Sequence, residues 1–80
     1  MKVIESSIDL NGFKLYSLPE LSNVGVKGDF DISTNKNLIS LKGSPSYIGG
    51  DLFLDGDFDE KEVRKLSKVM GQVRIFRRHK

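Results

Sequence analysis

The apolar positions of this chain fall in pairs two residues apart, and the pairs recur at a nearly constant spacing. Ile8 and Leu10, Phe30 and Ile32, Leu52 and Leu54, and Val73 and Ile75 form four such pairs, offset by 22, 22 and 21 residues. Apolar–polar–apolar is the pattern of a short strand with one buried face. Strands this short are unstable alone, so the recurrence predicts parallel stacking, one strand per repeat, over a shared core. Flanking residues repeat with the strands. Val26–Ile32 aligns with Ile48–Leu54, and Leu15–Leu18 aligns with Leu38–Leu41 across a one-residue insertion within 33–37. Leucines three apart suit a 3₁₀-like turn that presses both side chains inward on the return path. Pro19 and Pro45 follow these turns, and Gly28 and the Gly49-Gly50 pair permit tight backbone before the next strand.

One segment departs from the repeat. Residues 59–70, DEKEVRKLSKVM, predict an amphipathic helix with Val63, Leu66 and Val69 or Met70 on one face. Asp59 is placed as N-cap with Glu62 three residues on, and Phe58 and Val63 are spaced as a hydrophobic staple. Gly71 stands where a helix would terminate.

Phe30-Asp31-Ile32-Ser33-Thr34-Asn35, followed by Leu38 and Leu41, is close to the L-x-L-x-x-N-x-L-x-x-L register of leucine-rich repeats. Ser40–Asp51, SLKGSPSYIGGD, is more particular. It resembles the degenerate leucine-rich-repeat-like small proteins of tailed bacteriophages, over roughly residues 15–54. The spacing from Asn35 to Leu38 is one residue longer than in that register, and Asp57 falls where a third repeat asparagine would stand. The resemblance implies an α/β fold: a short leucine-rich-repeat-like solenoid with about four short parallel strands and one C-terminal amphipathic helix. It also implies a phage origin and a binding scaffold acting in the host cytosol. No activity and no functional residues carry over with it.

Eighty residues suit one domain, 1–80, whose last strand and tail, 72–80, are basic. The absence of cysteine removes disulfides and thiolate metal sites and fits a reducing, cytoplasmic setting. The start, MKVIESSIDL, lacks the apolar run of a signal peptide, and no run approaches the length of a membrane span. Net charge is +2 but uneven: five basic against seven acidic residues before position 57, then eight against four.

Candidate chemistry is sparse. Asp55-Gly56-Asp57-Phe58-Asp59 begins like a calcium loop, but Glu60 and Leu66 stand where an EF-hand requires glycine and glutamate, so a turn and helix cap explain it better. Asp29 and Asp51 hold equivalent repeat positions after glycine, which favours side-chain-to-backbone turn bonds over a catalytic pair. His79 is the penultimate residue of the sequence, and Gly49-Gly50-Asp51 lacks the lysine and hydroxyl of a phosphate loop. The sequence therefore predicts no enzyme, no cofactor and no metal.

A protein-binding module is expected, its partner a host protein and its contact residues Phe53 and Asp31 on the outer strand face, with Lys61, Arg64, Lys65, Lys68, Arg74, Arg77 and Arg78 beside them. Phe53 is singled out because Leu52 and Leu54 take the inward positions on either side of it. The alternative is nucleic-acid binding through the same basic C-terminal residues, although exposed aromatics for base stacking are nearly limited to Phe76 and Tyr47. No membrane partner is expected. Oligomeric state and the partner's identity stay open at this point.

Overall fold

In the computed structural model, residues 1–76 are described, and they form two parallel ladders rather than one. Eight strands occur in chain order: β1 (Lys2–Ile4), β2 (Ile8–Asp9), β3 (Val24–Val26), β4 (Phe30–Asp31), β5 (Tyr47–Ile48), β6 (Leu52–Asp55), β7 (Lys68–Val69) and β8 (Val73–Phe76). One helix, α1 (Glu60–Leu66), lies between β6 and β7. Odd strands pair in the order β1-β3-β5-β7 and even strands in the order β2-β4-β6-β8, all parallel. Each solenoid-like coil thus contributes one strand to each ladder and then returns through a longer segment. The four strands expected from the repeat are the second ladder, in the expected register: Ile8 with Phe30, Phe30 with Leu52, Leu52 with Val73. The first ladder doubles the expected strand count.

The core lies between the ladders and the return segments. Val26, Phe30, Ile32, Ile48 and Leu54 are fully buried, and Leu38 and Leu41 press in from the return side on irregular backbone between the turns at 36–37 and 42–43, not in the expected 3₁₀-like turn. Their first-coil counterparts Leu15 and Leu18, and the last-coil Val73 and Ile75, are only partly buried because no coil covers them. Asn35, 1 % exposed, ties the first two coils together. Its Nδ2 donates to Leu10 O (3.2 Å) and Ile32 O (3.3 Å), and its Oδ1 accepts from Leu15 N (2.8 Å).

The corner between the ladders explains the Gly-Asp pairs. Ser7 Oγ accepts from Asp29 N, Asp29 Oδ1 from Asp51 N, and Asp51 Oδ1 from Gln72 N, each at 2.8 Å. Each side chain bonds the backbone one coil further on. The residue before that backbone amide is Gly28, Gly50 or Gly71, and a Cβ there would overlap the accepting oxygen. The carboxylate of one coil occupies the space that glycine leaves in the next.

The helix is shorter than its sequence pattern. Asp59 caps it, extended at φ −91° and accepting from Lys61 N at 3.4 Å, but Glu62 pairs with Lys65 rather than closing a capping box. The chain turns extended at Ser67, whose Oγ donates to Pro45 O (2.6 Å), and Lys68–Val69 joins the first ladder. Ladder pairing overrides helical spacing here: Val63 is buried on α1, Val69 is buried as a strand residue, and Leu66 and Met70 are exposed. The helix therefore ends five residues before Gly71. Among the described residues, no helix is long and apolar enough to cross a membrane.

Candidate partner-binding surface

Strand alternation sends every second residue of the second ladder outward, and the parallel register lines these residues up across the coils. Asp9 stands beside Asp31, Asp31 beside Phe53, and Phe53 beside Arg74. The outer face therefore runs from two carboxylates at one end to an aromatic ring and a guanidinium at the other. Leu52 and Leu54 are buried on either side of Phe53, which leaves its ring on the outside. Arg74 lies over that ring, 5.8 Å from its centroid, and its Nε donates to Asp51 Oδ2 at 3.0 Å. The arginine is held in place by two contacts rather than swinging freely.

The carboxylates are set by their hydrogen bonds. Burial pulls the Asp31 carboxyl upward, but donation from Ser33 N (3.0 Å) and Ser33 Oγ (2.7 Å) outweighs it, with help from Asn11, so it stays below its ordinary value. Asp51 is also lowered, first by Gln72 N–H and then by Arg74. What Asp51 adds to the corner is thus present above the usual carboxylate range and lost as pH falls through its own lowered midpoint. Arg74→Gln is expected to raise the Asp51 midpoint, followed by carboxyl-carbon NMR, while leaving it below its ordinary value because the Gln72 bond persists. An unchanged midpoint would mean that Arg74 does not engage Asp51 in solution.

The basic candidates are distributed over three elements. Lys61, Arg64 and Lys65 are on α1, Lys68 is on the first ladder beside Tyr47, and Arg74 is on the second. The expected helical row through Lys61, Lys65 and Lys68 is broken where the chain leaves the helix at Ser67. Arg64 is a brace: it pairs with Glu60 (3.0 Å) and donates to Val69 O (2.9 Å) and Gly71 O (3.2 Å). Lys65 pairs with Glu62 at 3.2 Å. Lys61 and Lys68 form no ion pair among the described residues. Arg77 and Arg78 lie outside the described residues.

Two further surfaces were not apparent from the sequence. The outer face of the first ladder holds a groove of about 410 Å³ lined by Met1, Val3, Gly25, Lys27, Tyr47 and Gly49. Its floor is open because Gly25 stands in register between Val3 and Tyr47. The signal that could have found it is glycine at an outward strand position, where a missing side chain makes a depression. On the return side, Ile39 N donates to Tyr16 O (3.3 Å), which sets exposed Tyr16 and Ile39 in consecutive coils. A smaller hollow of about 240 Å³ lies between Glu20, Ser22, Leu41–Ser44 and Leu66. Neither hollow is lined by Asp29 or Asp51, which are engaged at the corner. Among the described residues, no group of three or more His, Asp or Glu side chains is placed to hold a metal ion. No family model, curated protein or solved structure matches this chain.

Proposed function

We propose that this chain is a non-catalytic protein-binding module that meets its partner with the outer face of the second ladder, centred on Phe53, Arg74 and Asp31. The observation that carries this is the outward Phe53 ring under a guanidinium fixed by Asp51. Aromatic and arginine side chains dominate interface energetics, and a pair ordered before contact loses little freedom on binding. The carboxylates of Asp9 and Asp31 give the face a direction, so a partner with complementary charge docks in one orientation.

The 21- to 22-residue coil and the buried Asn35 support leucine-rich-repeat-like kinship, and SLKGSPSYIGGD supports a phage origin. On that kinship the partner is a host protein in the cytosol, whose activity the module modulates.

A host-lysate pull-down tests the proposal. The wild-type chain is expected to retain a stoichiometric protein. Phe53→Ala, with its circular dichroism unchanged, is expected to weaken that complex about 30-fold, the effect of losing about 2 kcal/mol at an interface anchor. Retention by both forms alike would remove the outer face as the binding site. Salt-sensitive DNA or RNA binding that fell on neutralising Lys61, Lys68 and Arg74 would replace this proposal with a nucleic-acid function.

A further inference from the structure

The two ladders end differently at the last coil. In the first ladder and the corner, the carbonyls of each coil accept from the next: Val26 O from Gly49 N (2.8 Å), Ile48 O from Met70 N (2.9 Å), Gly28 O from Gly50 N (2.9 Å) and Gly50 O from Gly71 N (2.9 Å). Val69 O and Gly71 O hold the same positions in the last coil, and the Arg64 guanidinium donates to both. One side chain from α1 thus takes the place of two of the three amides that a further coil would supply, as Lys68 N, Met70 N and Gly71 N do for the coil before, and closes most of that edge.

The second ladder has no such closure among the described residues. In each earlier coil the inward residues donate forward: Ile8 N to Asp29 O (2.9 Å), Phe30 N to Asp51 O (3.0 Å), Ile32 N to Phe53 O (2.9 Å) and Leu52 N to Gln72 O (2.9 Å). Val73 and Ile75 occupy those inward positions on β8, so their amides point away from β6, and among the described residues no strand pairs with the far side of β8. Their side chains are half-buried at the uncovered end of the core, and Arg74 is exposed between them. This edge offers two donors, two apolar footholds and one cation.

We propose that the open edge of β8 is a strand-addition site for an extended protein segment of alternating apolar and acidic residues. Such a segment accepts from Val73 N and Ile75 N, covers both apolar side chains, and sets a carboxylate beside Arg74. The occupant is a lone strand rather than a second copy of this chain. The first coil of a second copy carries β1 and β2 joined through Glu5–Ser7 and would have to meet both ladder edges at once. Arg64 stands on one of them, and Ser6 occupies the corner position that is glycine in every later coil. This site shares Arg74 with the outer face, but its backbone donors and apolar footholds belong to the edge of β8.

The test is an amide NMR titration of the wild-type chain with a blocked pentapeptide of alternating valine and glutamate, against the same peptide with lysine. The glutamate peptide is expected to shift the Val73 and Ile75 amides most and to bind at least about fivefold more tightly than the lysine peptide, as for one exposed charge-assisted bond. Ile75→Pro removes an outward donor while sparing the β6 bonds, and is expected to abolish binding. Ile75→Pro is expected to leave the host-lysate complex of the outer face intact, which separates failure here from failure of the outer-face proposal. Equal binding of both peptides, shifts centred elsewhere, or no saturation at millimolar peptide would each overturn the proposal. So would concentration-dependent sedimentation of the protein alone with protection of those two amides, since that would make a second copy the occupant.

Discussion

Gly50→Ala is expected to cost about 2–3 kcal/mol of stability, and a simultaneous Asp29→Ala to return part of it. The added methyl would collide with Asp29 Oδ1, while the nearest backbone atoms, Gly28 C and O, stand 3.1 Å away and need to give by only a few tenths of an ångström. Removing the carboxylate therefore relieves most of the clash, although it also gives up the bond to Asp51 N. The equivalent pair in the next coil behaves differently. A Cβ at Gly71 would lie 2.6 Å from Gly50 O, a backbone atom held within the ladder, so Asp51→Ala is not expected to rescue Gly71→Ala. Denaturant midpoints of the two double-mutant cycles check both statements. Additive losses at Gly50 would show that the carboxylate does not fill the space the glycine leaves.

Asn35→Ala is expected to cost about 2 kcal/mol, because it strands Leu15 N and Leu10 O in a part-buried site, while Ile32 O keeps the backbone amide of residue 35. Asn35→Asp separates hydrogen bonding from shape. The carboxylate keeps the acceptor for Leu15 N but turns a second oxygen toward two carbonyls, so burial and repulsion raise its folded pKa. The sign follows directly. The loss is full at neutral pH, where the side chain must ionise or bind a proton at a cost, and it fades as pH falls toward the unfolded value of about 3.9. Urea unfolding of both variants at pH 7 and pH 4 should show the aspartate variant recovering relative to the alanine variant. Parallel losses at both pH values would mean that Asn35 Nδ2 does not face those carbonyls.

The second ladder was legible in the sequence because each of its strands, counted with the residue that follows β2 and β4, presents two inward residues, which is enough to register a period of two. The first ladder was not. Val26, Ile48 and Val69 each supply a single buried side chain per coil, flanked by Gly25, Tyr47 and Lys68, and one apolar residue has no period. The start of α1 was readable because capping chemistry is local to Asp59. Its end was hidden because Ser67, Lys68 and Val69 answer to Pro45, Ser46 and Ile48, more than twenty residues away. Arg64 was concealed although its partners are only five and seven residues on, because the turn out of the helix at Ser67 is what brings Val69 O and Gly71 O beside it. Phe53 was found because its neighbours in the chain define its direction. Arg74 over its ring was not, since that contact spans a whole coil.

The constant coil length also governs how the chain reaches this structure. Every ladder pair joins residues 21 or 22 apart, so each coil closes a loop of nearly the same size and entropy cost. The one local element, α1, has seven residues and is too short to persist by itself. No fragment of one coil can therefore act as a seed. The search must bring three segments together before buried surface exceeds the closure cost, and Phe30, Ile48 and Leu52 in the middle coils are where that first happens. Folding is then a slow first closure followed by faster additions outward, so a lesion in the central coils delays the whole chain, whereas one in the first coil delays only itself.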